Sequence, residues 1–199
     1  MSRLEGIKNH LRPGKVYRRQ ELGKWSKSID RDLDTLLNDG TLKKLSQGLY
    51  YHPKQSALGA TPPEEPDMVR GFLKDNRFLI TSQNSYNSLG VGTTQLHNIK
   101  IVYNHKRHGE IKLGNKSFLF QMKHHFPKTV TPEFLLVDLV NNIDRLAEDN
   151  QSILDNALEK AQQFDATKLK HAVKNYGTLK TQRLFMAVLN SPHELSYAG

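Results

Sequence analysis

Apolar residues recur at helical spacing from the start of the chain. Leu4, Ile7 and Leu11 fall on one helix face, and the Pro-Gly pair at 13–14 ends that first helix. The Val-Tyr pair at 16–17 then predicts a short extended segment. The chain is therefore expected to begin with a helix followed by a strand.

Two further helices are predicted in the next twenty or so residues. Residues 19–24 are enough for about one and a half helical turns. A longer helix is expected after Ser26, because a serine at the N-cap accepts hydrogen bonds from the first helical N–H groups. The apolar positions of this helix share one face and predict a buried core. They are Ile29, Leu33, Leu36 and Leu37.

A short β-ribbon follows that helix. Residues 42–45 and 48–52 predict two strands joined by a turn, in which Gly48 suits a backbone with positive φ. Three helices followed by a basic ribbon are typical of a winged helix-turn-helix. We therefore predict a winged-helix DNA-binding domain over residues 1–53.

The rest of the chain predicts a linker and a second domain. Residues 54–66 contain three prolines and little periodic apolar content, which is typical of an extended Pro-rich linker. Residues 67–199 are expected to form an α+β domain with a small antiparallel sheet and a C-terminal bundle of four helices, starting near residue 131. The predicted strands cover 78–81, 99–103, 109–113 and 116–122, with a short helix at 82–89. The fold class is therefore α+β.

Charge and composition narrow the function. The net charge is +9, and residues 1–60 hold 12 Lys and Arg against 6 Asp and Glu, so the N-terminal third carries most of the surplus. Such a distribution favours a polyanionic partner. The chain has no cysteine, which excludes disulfides and thiolate metal sites. With no apolar run near the roughly 18 residues of a membrane helix, it is expected to be a soluble cytoplasmic protein that does not bind membranes.

The predicted DNA contacts lie on two elements. Side chains near the start of a recognition helix reach base edges in the major groove, whereas the tip of a wing contacts phosphates. The acidic residues Asp30 and Asp34 share a helix face that is expected to point away from DNA. The candidate DNA-binding residues are Arg18, Arg19, Lys24, Ser26, Lys27, Ser28, Arg31, Lys43, Lys44, Ser46 and Gln47.

Five short runs resemble one bacterial family. They are VY at 16–17, LDTLL at 33–37, GTL at 40–42, LSQGLYYHP at 45–53 and ITSQNSYNSLG at 80–90. Together they resemble the AbiEi-like antitoxins of abortive-infection, type IV toxin-antitoxin systems, over roughly the first 125 residues. The resemblance implies a DNA-binding regulator that represses its own operon and counters a nucleotidyltransferase-like toxin. The rest of the chain is expected to serve contacts of a homo-oligomer on DNA, toxin antagonism or both. Only the winged-helix positions are carried over from the family.

Two other functions stay open at this point. A winged helix can dock on a protein instead of DNA, and the acidic row of Asp30, Asp32 and Asp34 supports that alternative. An enzyme would need a site in the second domain, built from residues such as Ser82, Tyr86, Tyr103 and His105. No nucleophile elbow, phosphate-binding loop or metal-ligand set is found, so no enzyme activity, cofactor or metal is predicted. The segment 105–108, His-Lys-Arg-His, is interpreted as an exposed basic tip.

Overall fold

The computed structural model describes residues 3–57, 59–94 and 96–190. The chain divides into two compact units. Unit 1 runs to Arg77 and takes in residues 106–120, and unit 2 comprises residues 78–105 and the chain from 121 onward. The predicted bounds of 1–53, 54–66 and 67–199 stay a prediction, because a compact unit need not be a domain that folds by itself.

Helices and short antiparallel sheets alternate along the described chain, so the predicted α+β class is confirmed. The helices are α1 (Arg3–Lys8), α2 (Arg19–Leu22), α3 (Ile29–Asn38), α4 (Glu65–Leu73), α5 (Pro132–Asn141), α6 (Asn150–Ala161), α7 (Ala166–Tyr176) and α8 (Leu179–Asn190). The strands are β1 (Val16–Arg18), β2 (Lys43–Ser46), β3 (Leu49–Tyr51), β4 (Lys54–Ser56), β5 (Gly59–Thr61), β6 (Phe78–Thr81), β7 (Lys100–Asn104), β8 (Gly109–Leu113) and β9 (Lys116–Met122). Short 3₁₀ segments lie at Gly23–Trp25, Gln83–Leu89 and Ile143–Arg145.

Unit 1 begins with a three-stranded antiparallel sheet in the order β1-β3-β2. Tyr50 on the central strand pairs with Tyr17 on one side and with Lys44 on the other. Helices α1 to α3 pack around this sheet, and the predicted apolar face of α3 is buried, with Leu37 partly so. The fully buried members of this core include Ile7 and Leu22, which lie on α1 and α2. The helical spacing of apolar residues therefore places this core correctly.

The start of α3 differs from the prediction. Ser28, not Ser26, occupies the N-cap position, and its side chain makes no capping bond. The Ser26 hydroxyl instead accepts a hydrogen bond from the N–H of Ser28 and donates one to Asp32, whose side chain is buried. Serine side chains bond readily to nearby backbone N–H groups, so Ser26 stabilises the turn before the helix and connects it to Asp32 in the first turn, without capping the helix.

Unit 1 is completed by segments that lie later in the chain. Strands β4 and β5 form an exposed antiparallel ribbon within the predicted linker. Helix α4 packs closely on β1, and a Cβ placed on Gly71 would lie 2.7 Å from Cγ1 of Val16. The β8–β9 hairpin meets β2 where the register shifts, since the N–H of Gly114 donates to the carbonyl of Leu45 at 2.8 Å. The bulged carbonyl of β2 is thereby satisfied.

Unit 2 is built around helix α5. Strands β6 and β7 pair antiparallel, and the 3₁₀ segment between them ends at Gly90, whose φ is +66°. Residues 134–140 of α5 are all buried, which is typical of a helix surrounded by other elements. The Thr131 hydroxyl caps α5 by accepting from the N–H of Phe134. Helices α6, α7 and α8 cover α5, in agreement with the predicted four C-terminal helices. None of the helices in the described ranges is long and apolar enough to cross a membrane.

Candidate nucleic-acid interface

The β2–β3 hairpin carries two lysines on its outer surface. Lys43 and Lys44 are exposed on β2, and Gly48 makes the turn with a φ of +71°. Nζ of Lys44 donates to Oε1 of Gln47 at 3.1 Å, so the lysine and the exposed amide at the turn lie side by side. Ser46, the neighbouring candidate, is half-buried. The hairpin tip therefore presents the donors of Lys44 and Gln47 to solvent.

The start of α3 carries a second set of cations. Lys27, Ser28 and Arg31 are exposed there, and Lys24 is exposed on the preceding 3₁₀ turn. The charged groups of Lys24, Lys27 and Arg31 form no ion pair with any residue in the described part of the chain. Because a side chain without an internal partner keeps its full hydration, these three are available to an external anion.

Two of the carboxylates of α3, those of Asp30 and Asp32, accept hydrogen bonds from other side chains. Arg19 donates to both oxygens of Asp30, from Nε at 2.7 Å and from Nη2 at 2.6 Å. These hydrogen bonds lower the pKa of the Asp30 carboxyl below its ordinary value and raise the pKa of Arg19. Asp32 is buried against Ser26. The predicted acidic row is therefore not a continuous anionic surface, and Arg19 serves first to neutralise α3.

Arg18 lies behind the sheet and contacts α4. Its Nε donates to the carbonyl of Gly71 at 2.8 Å, and its Nη2 to the carbonyl of Arg70 at 3.4 Å. The carbonyl of Arg70 also accepts from the N–H of Lys74, whereas the carbonyl of Gly71 lies in the last turn of α4 and gains its partner from the guanidinium. The structure thus gives Arg18 and Ser26 internal partners and leaves Lys24, Lys27, Ser28, Arg31, Lys43, Lys44 and Gln47 on the surface of unit 1.

A basic groove adjoins the hairpin tip, and sequence reasoning missed part of it. The groove has a volume of about 370 Å³ and is lined by Arg19, Gln47, Lys74 and Arg107, among other residues. Four cations line it and no acidic residue does. Lys74 stands alone in the sequence, so no local pattern indicates a site there. Arg107 belongs to the predicted basic tip, which is exposed as expected, but nothing local in the sequence indicates its neighbours.

Two of the residues considered for an enzyme, Tyr86 and Tyr103, meet in unit 2 in a buried hydrogen-bond network around Asp138. Asp138 is fully buried and accepts hydrogen bonds from the hydroxyls of Tyr86 and Tyr103 at 2.8 Å. It also accepts from Nζ of Lys123 at 3.0 Å and from Nδ2 of Asn142 at 3.2 Å. Burial raises the pKa of both tyrosines, with a further contribution from the carboxylate. The network therefore keeps the two hydroxyls protonated and bound to Asp138.

The other two residues considered for that site lie elsewhere in unit 2. Ser82 is buried at the N-cap position of the 3₁₀ segment, and its side chain makes no capping bond. The ring of His105 stacks on Phe126 with centroids 4.8 Å apart. Within the described ranges, no three His, Asp or Glu side chains are grouped so that they could hold a metal ion.

Comparison with known proteins gives a family and a fold. A family model described as a family of unknown function, DUF6088, matches residues 14–172. No curated protein matches the sequence. The crystal structure of the RV2827C protein from Mycobacterium tuberculosis is similar, with a TM-score of 0.51 and 14% sequence identity, over 94% of this chain and 74% of that one. At this identity the likeness concerns the fold alone, a mixed arrangement of helices and small sheets.

Proposed function

We propose that this chain, which belongs to the DUF6088 family, is a transcriptional regulator that binds double-stranded DNA through a winged helix at residues 1–53. One observation carries the proposal: exposed cations lie on both α3 and the β2–β3 hairpin. These two elements would correspond to the recognition helix and the wing. Lys27 and Arg31 lie on the first, and Lys43 and Lys44 on the second.

The division of charge supports the same proposal. Unit 1 holds 19 Lys and Arg against 11 Asp and Glu, a surplus of 8, whereas unit 2 holds 10 against 9, a surplus of 1. Nearly the whole net charge of the protein is therefore on the unit proposed to bind DNA. A basic surface of this kind binds phosphates and releases their counterions, which makes affinity depend steeply on salt.

Each element would make a different kind of contact. The guanidinium of Arg31 would donate to a guanine edge in the major groove, and the exposed Ser28 hydroxyl would contact a base edge in the same groove. Lys43, Lys44 and Gln47 would contact phosphates and fix the register of the protein without reading sequence. The Arg19–Asp30 pair would reduce the repulsion between α3 and the DNA, because it cancels a carboxylate on that helix.

By its resemblance to the AbiEi-like antitoxins, the protein is further proposed to repress its own operon and to antagonise a nucleotidyltransferase-like toxin. Unit 2 would supply the contacts with the toxin and those of a homo-oligomer on DNA. The rival function, a winged helix that docks on a protein, drew its support from the acidic row of α3. Since Asp32 is buried and Asp30 is paired, that support is weaker in the folded protein.

The first test is a fluorescence-anisotropy titration of the full chain with duplex DNA. The probes are the DNA upstream of its own gene and a scrambled duplex, each measured across a salt series. We expect both to bind at low salt, and the upstream sequence to stay bound at salt concentrations that release the scrambled one. No binding to either duplex at low salt would refute DNA binding and leave protein docking as the function.

Variants then separate the two kinds of interaction. The double variant Lys43→Ala/Lys44→Ala is expected to weaken binding to every sequence and to flatten the salt dependence by about 0.9 in the log-log slope for each phosphate that is no longer neutralised. Arg31→Ala is expected to reduce the preference for the upstream sequence, by about 1–3 kcal/mol if it binds a guanine. Lys168→Ala removes an exposed cation from α7 and serves as the control. Binding equal to that control in both variants would contradict the roles of these two elements.

A further inference from the structure

The end of helix α4 is held by a residue from a distant segment. Nζ of Lys106 donates to the carbonyl of Lys74 at 3.0 Å and lies 3.2 Å from a carboxylate oxygen of Asp75. Asp75 is fixed in turn by the backbone N–H of Arg77. These bonds fasten the segment that enters the β8–β9 hairpin to the end of α4. Arg107, the next residue, is thereby brought to the groove beside the hairpin tip.

The groove gathers like charges from separate elements. Arg19 comes from α2, Lys74 from the end of α4 and Arg107 from the segment before β8, and Gln47 adds an amide from the hairpin turn. No acidic residue lines the groove itself, although Arg19 is paired with Asp30 beside it. An anion that enters the groove would be attracted by the ammonium of Lys74 and the guanidinium of Arg107.

Lys74 has an unusual backbone for its residue type. Its φ is 54° and its ψ is 39°, in the left-handed region, and it is the one non-glycine residue with positive φ among those described. Glycine or asparagine is preferred at this position after a helix, because a Cβ there is strained. The backbone at residue 74 therefore favours glycine over the lysine that is present.

We propose that this groove binds a phosphate group of the DNA backbone, with Lys74 and Arg107 as phosphate-binding residues that lie outside the winged helix. The proposal rests on the proposed function, because the anion is that of the same DNA duplex. The groove adjoins the hairpin tip, so its phosphate would follow those held by Lys43 and Lys44 along the strand. Residues 106–120 then contribute to DNA binding, and a fragment of residues 1–60 would bind DNA more weakly than the full chain.

The test uses the full chain and the salt series described above, with the scrambled duplex as probe. Lys74→Gln and Arg107→Gln are each expected to lower the slope of log affinity against log salt by about 0.9, the change that follows when one phosphate is no longer neutralised. Lys112→Gln is the matched control, because Lys112 is exposed on β8 in the same hairpin and does not line the groove. Its slope should equal that of the wild type.

Lys74→Gly separates binding from folding. Glycine relieves the strained backbone, so this variant is expected to melt at the same temperature as the wild type or higher, and yet to bind DNA as weakly as Lys74→Gln. If the wild type binds DNA while the Lys74 and Arg107 variants match the Lys112→Gln control, the groove proposal is wrong and the winged-helix proposal stands. If the wild type binds no DNA, both proposals fail.

Discussion

The two units of this protein use their charged side chains in opposite ways. In unit 1 the surplus of 8 positive charges lies mainly on the surface, on the hairpin, at the start of α3 and around the groove. In unit 2 the surplus is 1, and its most connected carboxylate, Asp138, is fully buried. Its oxygens accept from two tyrosines, a lysine and an asparagine of the same unit.

This difference separates charged residues that stabilise the fold from exposed charged residues that the proposal assigns to DNA binding. A buried carboxylate is tolerated only when hydrogen bonds and a cation compensate its lost hydration, and Asp138 meets that condition. Exposed cations such as Lys27 and Arg31 contribute little to stability, so their replacement is expected to affect the proposed DNA binding and not the fold. Substitutions in the two units should therefore affect different measurements.

The largest effect is expected from Asp138→Ala. Removing this carboxylate leaves the half-buried ammonium of Lys123 and the hydroxyls of Tyr86 and Tyr103 without their acceptor. We expect the free energy of unfolding to fall by about 3–5 kcal/mol, measured by urea denaturation. Asp144→Ala, which removes an exposed carboxylate 3.9 Å from Lys180, should change it by less than about 0.5 kcal/mol.

The same two variants also test whether unit 2 contributes to DNA binding. While Asp138→Ala remains folded, its salt slope for DNA binding should equal that of the wild type, because the substitution removes no cation from unit 1. Equal stability of the two variants would mean that the Asp138 network contributes little to the fold, and would reopen a functional role for it.

A smaller effect is expected from Gly71→Ala in unit 1. The new methyl group would lie 2.7 Å from Cγ1 of Val16 and 3.2 Å from Cδ1 of Leu49, so α4 must move away from the sheet. We expect a destabilisation of about 1–2 kcal/mol after the gain in helix propensity is included, measured by thermal and urea unfolding.

Gly6→Ala is the matched control in another helix of the same unit. No atom lies within 4 Å of the Cβ that it would add, so only the helix-propensity gain of about 0.5–1 kcal/mol remains. The two Gly→Ala changes should therefore have opposite signs. A stabilising effect of both would show that α4 is not packed tightly against β1, and that the end of α4 is a poor support for the groove.

The smallest effect concerns pH and an exposed pair in unit 1. Hydrogen bonds from Lys8 at 2.8 Å and from Thr41 lower the pKa of Asp39 from 3.8 to about 2. A carboxylate with a lowered pKa stabilises the fold above its unfolded pKa, and this contribution disappears as the pH falls through the folded value. We expect the wild type to exceed Asp39→Asn slightly in Tm above about pH 4, and the difference to vanish as the pH approaches 2. If the Tm difference between the wild type and Asp39→Asn stays constant over this pH range, the Asp39 carboxylate does not stabilise the fold through its bonds to Lys8 and Thr41.

Much of this architecture was predictable from the spacing of apolar residues. Strands β6, β8 and β9 have the predicted bounds, because alternating side chains and glycine turns are local signals. The β4–β5 ribbon was not predicted, since its side chains are small or polar and exposed, so no apolar pattern indicates it.

The partners of the candidate residues were less predictable, because they come from distant parts of the chain. Alternation along β2 accounts for the exposure of only one of the adjacent residues Lys43 and Lys44, although both are exposed. The internal partners of Arg18, the carbonyls of Gly71 and Arg70, lie more than fifty residues away. Asp138 was visible as a carboxylate among apolar residues, but its tyrosine donors are on other elements. Sequence spacing indicates which face of a helix or strand a side chain occupies. It does not indicate which residue, distant in sequence, becomes its hydrogen-bond partner.

The hydrogen bond between Gly114 and Leu45 has a consequence for how the protein is made. Unit 1 is incomplete until residues 106–120 have left the ribosome, because Gly114 donates the hydrogen bond to the carbonyl of Leu45. Contacts between residues so far apart in sequence form late, since the intervening chain must first be ordered. A nascent chain that stops short of residue 114 would leave the carbonyl of Leu45 without this donor. The groove beside the hairpin tip would thus be complete only after residues 106–120 had emerged.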